Sequence, residues 1–195
     1  MGLLIALLLL GILVVWPAWL YNKLVRAKNQ YLNAFAQIQV QLKRRHELIP
    51  NLVDTVRAYL VHERETLEAV TAARSRAEQS LRAAAANPDA ASMRALADSE
   101  TALNGALQGL NVAIEAYPEL RAQEAVLQLN EALDNTENRV AFARQAYNDA
   151  VMHYNTSRQL FPANMLSGFF GHKKDAALLK LEQAAELQTA PRVQL

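Results

Sequence analysis

A chain of 195 residues with 20 Lys and Arg against 19 Asp and Glu carries a formal charge of +1, a balance that excludes a general nucleic-acid binder or a binder of acidic substrates. Apolar side chains make up 52% of it, enough for a sizeable core in one domain. The absence of cysteine excludes disulfides, thiol nucleophiles and cysteine-ligated metals, and leaves the redox compartment open.

From Met1 to Asn22 no side chain is charged, and Leu3 to Val15 is almost wholly Leu, Ile and Val. Followed to Tyr21 the run reaches about 20 residues, enough to cross a hydrocarbon core roughly 30 Å thick. It predicts a single-pass membrane anchor over 1–21, carried by Leu3, Ile5, Leu8, Leu10, Leu13, Val15, Trp16 and Trp19. The rings of Trp16, Trp19 and Tyr21 would lie at headgroup level. A cleaved signal peptide is the competing reading, but the run has no basic n-region and no small-x-small site before Trp19. Lys23, Arg26 and Lys28 follow closely, and the positive-inside rule then puts the bulk of the chain in the cytoplasm.

Tyr21, Leu24, Lys28, Tyr31, Phe35, Ile38, Leu42, Arg45, Ile49, Leu52, Val56, Tyr59 and Glu63 are spaced alternately by three and four, the seam of a coiled-coil-like helix. The series crosses Pro50 without losing phase. A proline inside a helix costs about 3 kcal/mol, so the spacing predicts one kinked helix over 22–86, with a chain reversal at Pro50 as the alternative. Asn87-Pro88-Asp89 reads as the first boundary, with Asn87 as N-cap and Pro88 at the first helical position. Met93, Leu96, Glu100, Leu103, Leu107, Leu110, Ile114 and Tyr117 predict a second helix over 88–116, in which Gly105 and Gly109 suggest close helix contact. After Tyr117-Pro118-Glu119, the spacing from Val126 to Tyr154 predicts a third helix over 118–160, whose many asparagines read as ordinary solvation. Residues 162–195 hold an apolar segment, a weak helix over 175–187 and a disordered tail.

Among the histidines, His46-Glu47 and His62-Glu63 lack the second histidine of a zinc protease, since Pro50 and Thr66 stand there. There is no Gly-rich phosphate loop and no serine on an elbow-like turn. No catalytic, cofactor-binding or metal residue is assigned, and no small-molecule substrate is expected. Lys43-Arg44-Arg45 is the densest basic cluster, read as solvated or ion-paired.

Tyr21-Asn22-Lys23-Leu24-Val25, the block from Leu42 to Val53 and His62-Glu63-Arg64-Glu65 resemble signature blocks of the LemA family of bacterial membrane-anchored proteins, as do Ala143 to Val151 and Phe161-Pro162-Ala163-Asn164. The resemblance implies an N-terminal membrane helix, in the bacterial inner membrane, on a long helical domain. It brings no reaction and no catalytic residue with it.

The expected architecture is therefore all-α: an anchor continuing into an extended three-helix bundle, or, if the chain folds back at Pro50, a compact four-helix bundle. In the extended form a helix over 22–86 outreaches the second helix, leaving Tyr31, Phe35, Ile38, Leu42, Ile49 and Leu52 uncovered. That predicts a homo-oligomer assembled through this stripe, with Lys43, Arg44 and Arg45 paired to acidic residues of a neighbour. Three passes would also carry Leu160 to Phe170 far from the bilayer, with Phe169 and Phe170 as a protein contact. The expected function is a non-enzymatic scaffold, or else an adaptor docking a membrane enzyme such as a membrane protease.

Overall fold

A computed structural model describes residues 1–181, without the side chains of residues 5–13. Every regular element among the described residues is a helix: α1 (Gly2–Arg57), α2 (Arg64–Ala86), α3 (Ala90–Glu115), the short α4 (Pro118–Arg121), α5 (Glu124–Gln159) and the short α6 (Ala163–Leu166). α1 passes through Pro50 without a break, as its uninterrupted spacing predicts.

The expected single helix over 22–86 is instead two. The chain reverses at 58–63, where the amides of Tyr59 and Leu60 both return to the Val56 carbonyl and tighten the last turn of α1. No glycine or proline marks this turn, and α2 begins without a side-chain cap. What fixes it is tertiary: Leu60 is buried among Val56, Leu67, Val70, Ile114 and Leu120. Because α2 then runs back along α1, the four long helices alternate in direction.

Two apolar clusters show this register. The distal one joins Ile49 to Leu60 with Leu67 to Ala77, Leu103 to Ile114, and Val126 and Leu133. The basal one joins Ala27 to Leu42 with Leu81, Ala84, Met93, Leu96, and Val140 to Tyr154. The architecture is thus the compact four-helix alternative, reversed eight residues or more beyond Pro50. The stripe Tyr31, Phe35, Ile38, Leu42, Ile49 and Leu52 is buried inside one chain, so it leaves nothing for a neighbour to cover.

Other boundaries shift by local chemistry. Asp89, not Asn87, caps α3, in a reciprocal box with Ser92: the Ser92 amide donates to Asp89 Oδ1 (2.8 Å) and the Asp89 amide to Ser92 Oγ (3.1 Å). Pro118 opens α4, whose buried Leu120 plugs the distal core before α5 begins. Gly105 and Gly109 face solvent, and a Cβ at either would meet nothing within 4 Å, so close contact is not their reason.

At the N-terminal end, the anchor residues Ile5, Leu8, Leu10 and Leu13 lie outside the described side chains, while Leu3, Val15, Trp16 and Trp19 are exposed. Among the described residues no helix is long and apolar enough to cross a membrane.

The buried stripe carries a direct test. Ile38→Asp with Leu42→Asp places two carboxylates in the basal cluster and removes two side chains worth about 1.5–3 kcal/mol each on burial. Against a total stability of about 5–15 kcal/mol, the monomer should lose its cooperative thermal transition by circular dichroism. A folded monomer with only its assembly changed would overturn this packing.

Candidate functional site

The Lys43-Arg44-Arg45-His46 cluster is divided by helix geometry. Lys43 and Arg44 are exposed, and Lys43 pairs with Glu47, 4.0 Å away on the same helix. Arg45 and His46 point inward and are buried. They meet Glu100, which projects from α3 and is almost fully buried. His46 Nε2 lies 2.9 Å from Glu100 Oε1, and Arg45 Nη1 lies 3.7 Å from Glu100 Oε2. Arg45 Nη2 also pairs with Glu137 of α5 at 3.5 Å. Glu68, at the start of α2, is paired with Arg64 of its own helix.

The fourth helix enters through the backbone. Pro50 has no N–H, so the His46 carbonyl one turn earlier has no helical partner. Arg74 of α2 supplies one: its Nε donates to the His46 oxygen at 2.7 Å. All four long helices therefore meet at one polar layer between the basal and distal clusters. Arg45, Asn104 and Glu137 line a small cavity beside it, about 60 Å³. That volume suits a few waters, not an organic substrate.

A second polar constellation holds the chain's descent from α5. Asn155 exchanges both amide hydrogen bonds with Ala176 (2.8 and 3.0 Å), and Asn148 does the same with Leu179 (2.9 and 3.1 Å). Tyr147 donates its hydroxyl to the Ala177 carbonyl (2.7 Å). Residues 175–181, expected to begin a helix, instead run as an irregular strap up the side of α5, because side-chain amides satisfy their main chain. The rest of the expected 175–187 helix lies outside the described residues. Two asparagines read as solvation are thus structural clamps, and a helix face with asparagines seven residues apart was the available signal.

The strap also places His172, whose Nδ1 is 2.9 Å from the Tyr154 hydroxyl. Burial, with Lys28 and Arg158 nearby, pushes its pKa below the ordinary histidine value. His62 and His153 remain exposed, so the four histidines do not converge. Among the described residues no group of three His, Asp or Glu could hold a metal ion.

Of the expected contact residues, the exposed ones are Lys43, Arg44 and Phe169, while Phe170 is partly covered by an edge-on contact with Tyr21 (ring centroids 5.4 Å apart). The segment from Leu160 to Phe170 therefore lies beside the start of the bundle, not at its far end. The reversal at 58–63 makes four passes of the expected three, which returns this segment to the level of Tyr21.

Two measurements check the site. Arg74→Ala should cost about 1.5–3 kcal/mol in chemical denaturation, the range for a hydrogen bond from a charged donor. In a Pro50→Ala background, which restores the helical N–H, most of that cost should disappear; equal costs in both backgrounds would show that Arg74 does not serve the proline's carbonyl. For His172, the folded pKa is depressed, so below about 6.5 the unfolded chain takes up a proton that the folded chain does not, and stability falls with pH. The wild-type melting temperature should drop more steeply between neutral pH and mildly acid pH than that of His172→Asn, and parallel profiles would contradict the assignment.

Comparison with known proteins places these features in a family. The LemA family model matches residues 34–195. Protein LemA of Metamycoplasma hominis is 27% identical over 167 residues, which cover 86% of this chain and 70% of the relative. With Arg45, His46, Pro50, Arg74, Glu100, Glu137 and the basal segment all inside the matched span, the chain belongs to the LemA family.

Proposed function

We propose that this chain is a non-enzymatic, membrane-anchored helical scaffold of the bacterial inner membrane, with its bundle on the cytoplasmic face. The observation that carries the reading is the continuity of α1 from Gly2 to Arg57. The uncharged run and the first bundle helix are one element, so a span at residues 1–21 would hold the bundle without a flexible linker. The interior polar groups support the same reading, since they are engaged in linking the helices to one another.

An adaptor that docks a membrane enzyme, such as a membrane protease, is the second reading. It is favoured by a groove of about 670 Å³ at the distal tip, lined by Arg57, Leu60, Val61, Arg64, Leu67 and neighbours, with Tyr59 and Val61 exposed beside it. Native mass of the full chain in mild detergent separates the two: the chain alone or in copies of itself supports the scaffold, and a stoichiometric foreign protein supports the adaptor.

The anchor is tested by Leu8→Arg. An arginine at the centre of a span adds about 2.5–3.5 kcal/mol to insertion, so a large part of the protein should move from the membrane to the soluble fraction. Wild-type protein recovered in the soluble fraction, or beginning after residue 18, would remove the anchor.

A further inference from the structure

The basal end of the bundle leaves a group of large apolar side chains exposed. Between α5 and the strap, Leu160, Phe161, Met165 and Phe169 are 59%, 77%, 70% and 92% exposed. No charged side chain occurs from 159 to 171. The Tyr21–Phe170 ring contact fixes this segment against α1, where the exposed Trp16 and Trp19 follow within about 8 Å at 1.5 Å per residue.

The charge around it is predominantly basic. Neither residues 1–46 nor residues 150–174 contain an Asp or Glu, while they carry Lys23, Arg26, Lys28, Arg158, Lys173 and Lys174 near the base. Arg158 is already engaged by Asp175 and the Lys173 carbonyl. Lys173 is exposed on the wall of an open cleft of about 890 Å³, whose apolar side is made by Met165 and Phe169. An apolar tip with a basic collar is the arrangement that suits a membrane interface, where rings and thioethers enter the acyl boundary and ammonium groups stay among anionic headgroups. A second protein copy would have to bring acidic groups to the same collar, and the carboxylates near this chain's own base are already engaged, Asp175 by Arg158 and Gln159 and Asp89 by the Ser92 amide.

We propose that residues 160–170 form a second, interfacial contact with the bilayer entered by the N-terminal run, with Phe161, Met165 and Phe169 inserted at its surface and Lys173 facing anionic headgroups. This rests on the anchor reading given above. The bundle would then stand on two points, the span and the basal knob, which restricts its tilt and rotation against the membrane.

The absence of cysteine permits a direct test on the full chain. The fluorophore NBD is attached in turn at Phe169→Cys, Leu8→Cys and Val61→Cys, and each protein is reconstituted in phosphatidylcholine vesicles with about one-third phosphatidylglycerol, a charged surface of the kind a basic collar recognises. Doxyl lipids carry the quencher near the headgroup or at the bilayer centre. The proposal expects quenching at Phe169→Cys mainly by the shallow lipid, at Leu8→Cys by the deep one, and at Val61→Cys by neither. Quenching at Leu8→Cys with none at Phe169→Cys overturns the interfacial contact and leaves the anchor standing. Shallow quenching at Phe169→Cys with no deep quenching at Leu8→Cys keeps the contact and removes the span. A Phe169→Cys label that is blue-shifted but unquenched by either lipid assigns the segment to a second copy and overturns the proposal.

Discussion

The carbonyl oxygen of His46 is the point on which the four-helix arrangement turns. Pro50 leaves it without an amide, and a buried, unpaired carbonyl costs about as much as a lost hydrogen bond. Arg74 closes it from α2, and in doing so sets how far the returning helix must slide along α1. The flanking residue and the side chain of His46 fix the other two helices, through Glu100 on α3 and Glu137 on α5. Burying such ion pairs adds little net stability, because desolvation offsets most of the attraction. What they add is discrimination: in a bundle of small and aliphatic side chains, a shift by one turn keeps apolar contacts but strands Arg45 and Glu100 without each other.

Much of this was written in the periodicities. Arg45 occupies a seam position of α1 and Glu100 a seam position of α3, two opposite charges each set in an otherwise apolar series. Their signs and positions are the signal for a buried pair, whereas a neighbour's surface acids would suit only Lys43 and Arg44. The helical class and the continuity through Pro50 were legible for the same reason, since a three-four spacing is a local property.

The reversal at 58–63 was not legible, and one physical cause explains the errors that follow from it. The seam keeps its phase from Val56 through Tyr59 and Glu63 to Leu67, so spacing alone reads straight through the turn. Helix α2 starts without a cap, and its position depends on Leu60 finding the cores of α3 and α4, contacts far away in sequence. Reading through it made a helix too long for its partner. Such a helix leaves the apolar stripe uncovered and puts Leu160 to Phe170 at the opposite pole. A single missed turn changes the parity of the passes, and parity decides which end of a bundle a later segment reaches.

The same count explains why the strap exists. The α2–α3 hairpin ends at 87–89, but α1 and α5 continue toward the base, and two helices alone leave half of each apolar face to water. Tyr31, Tyr147 and Tyr154 gather in that gap, in ring contacts of 5.2–6.4 Å. Leu179 of the strap and His172 just before it then close it from the side. A third helix there would need a turn and several more residues of amphipathic sequence. An irregular strap needs only partners for its main chain, and Asn148, Asn155 and Tyr147 provide them from α5. The basal core therefore depends on the strap that follows Phe161 and Phe169 in the chain.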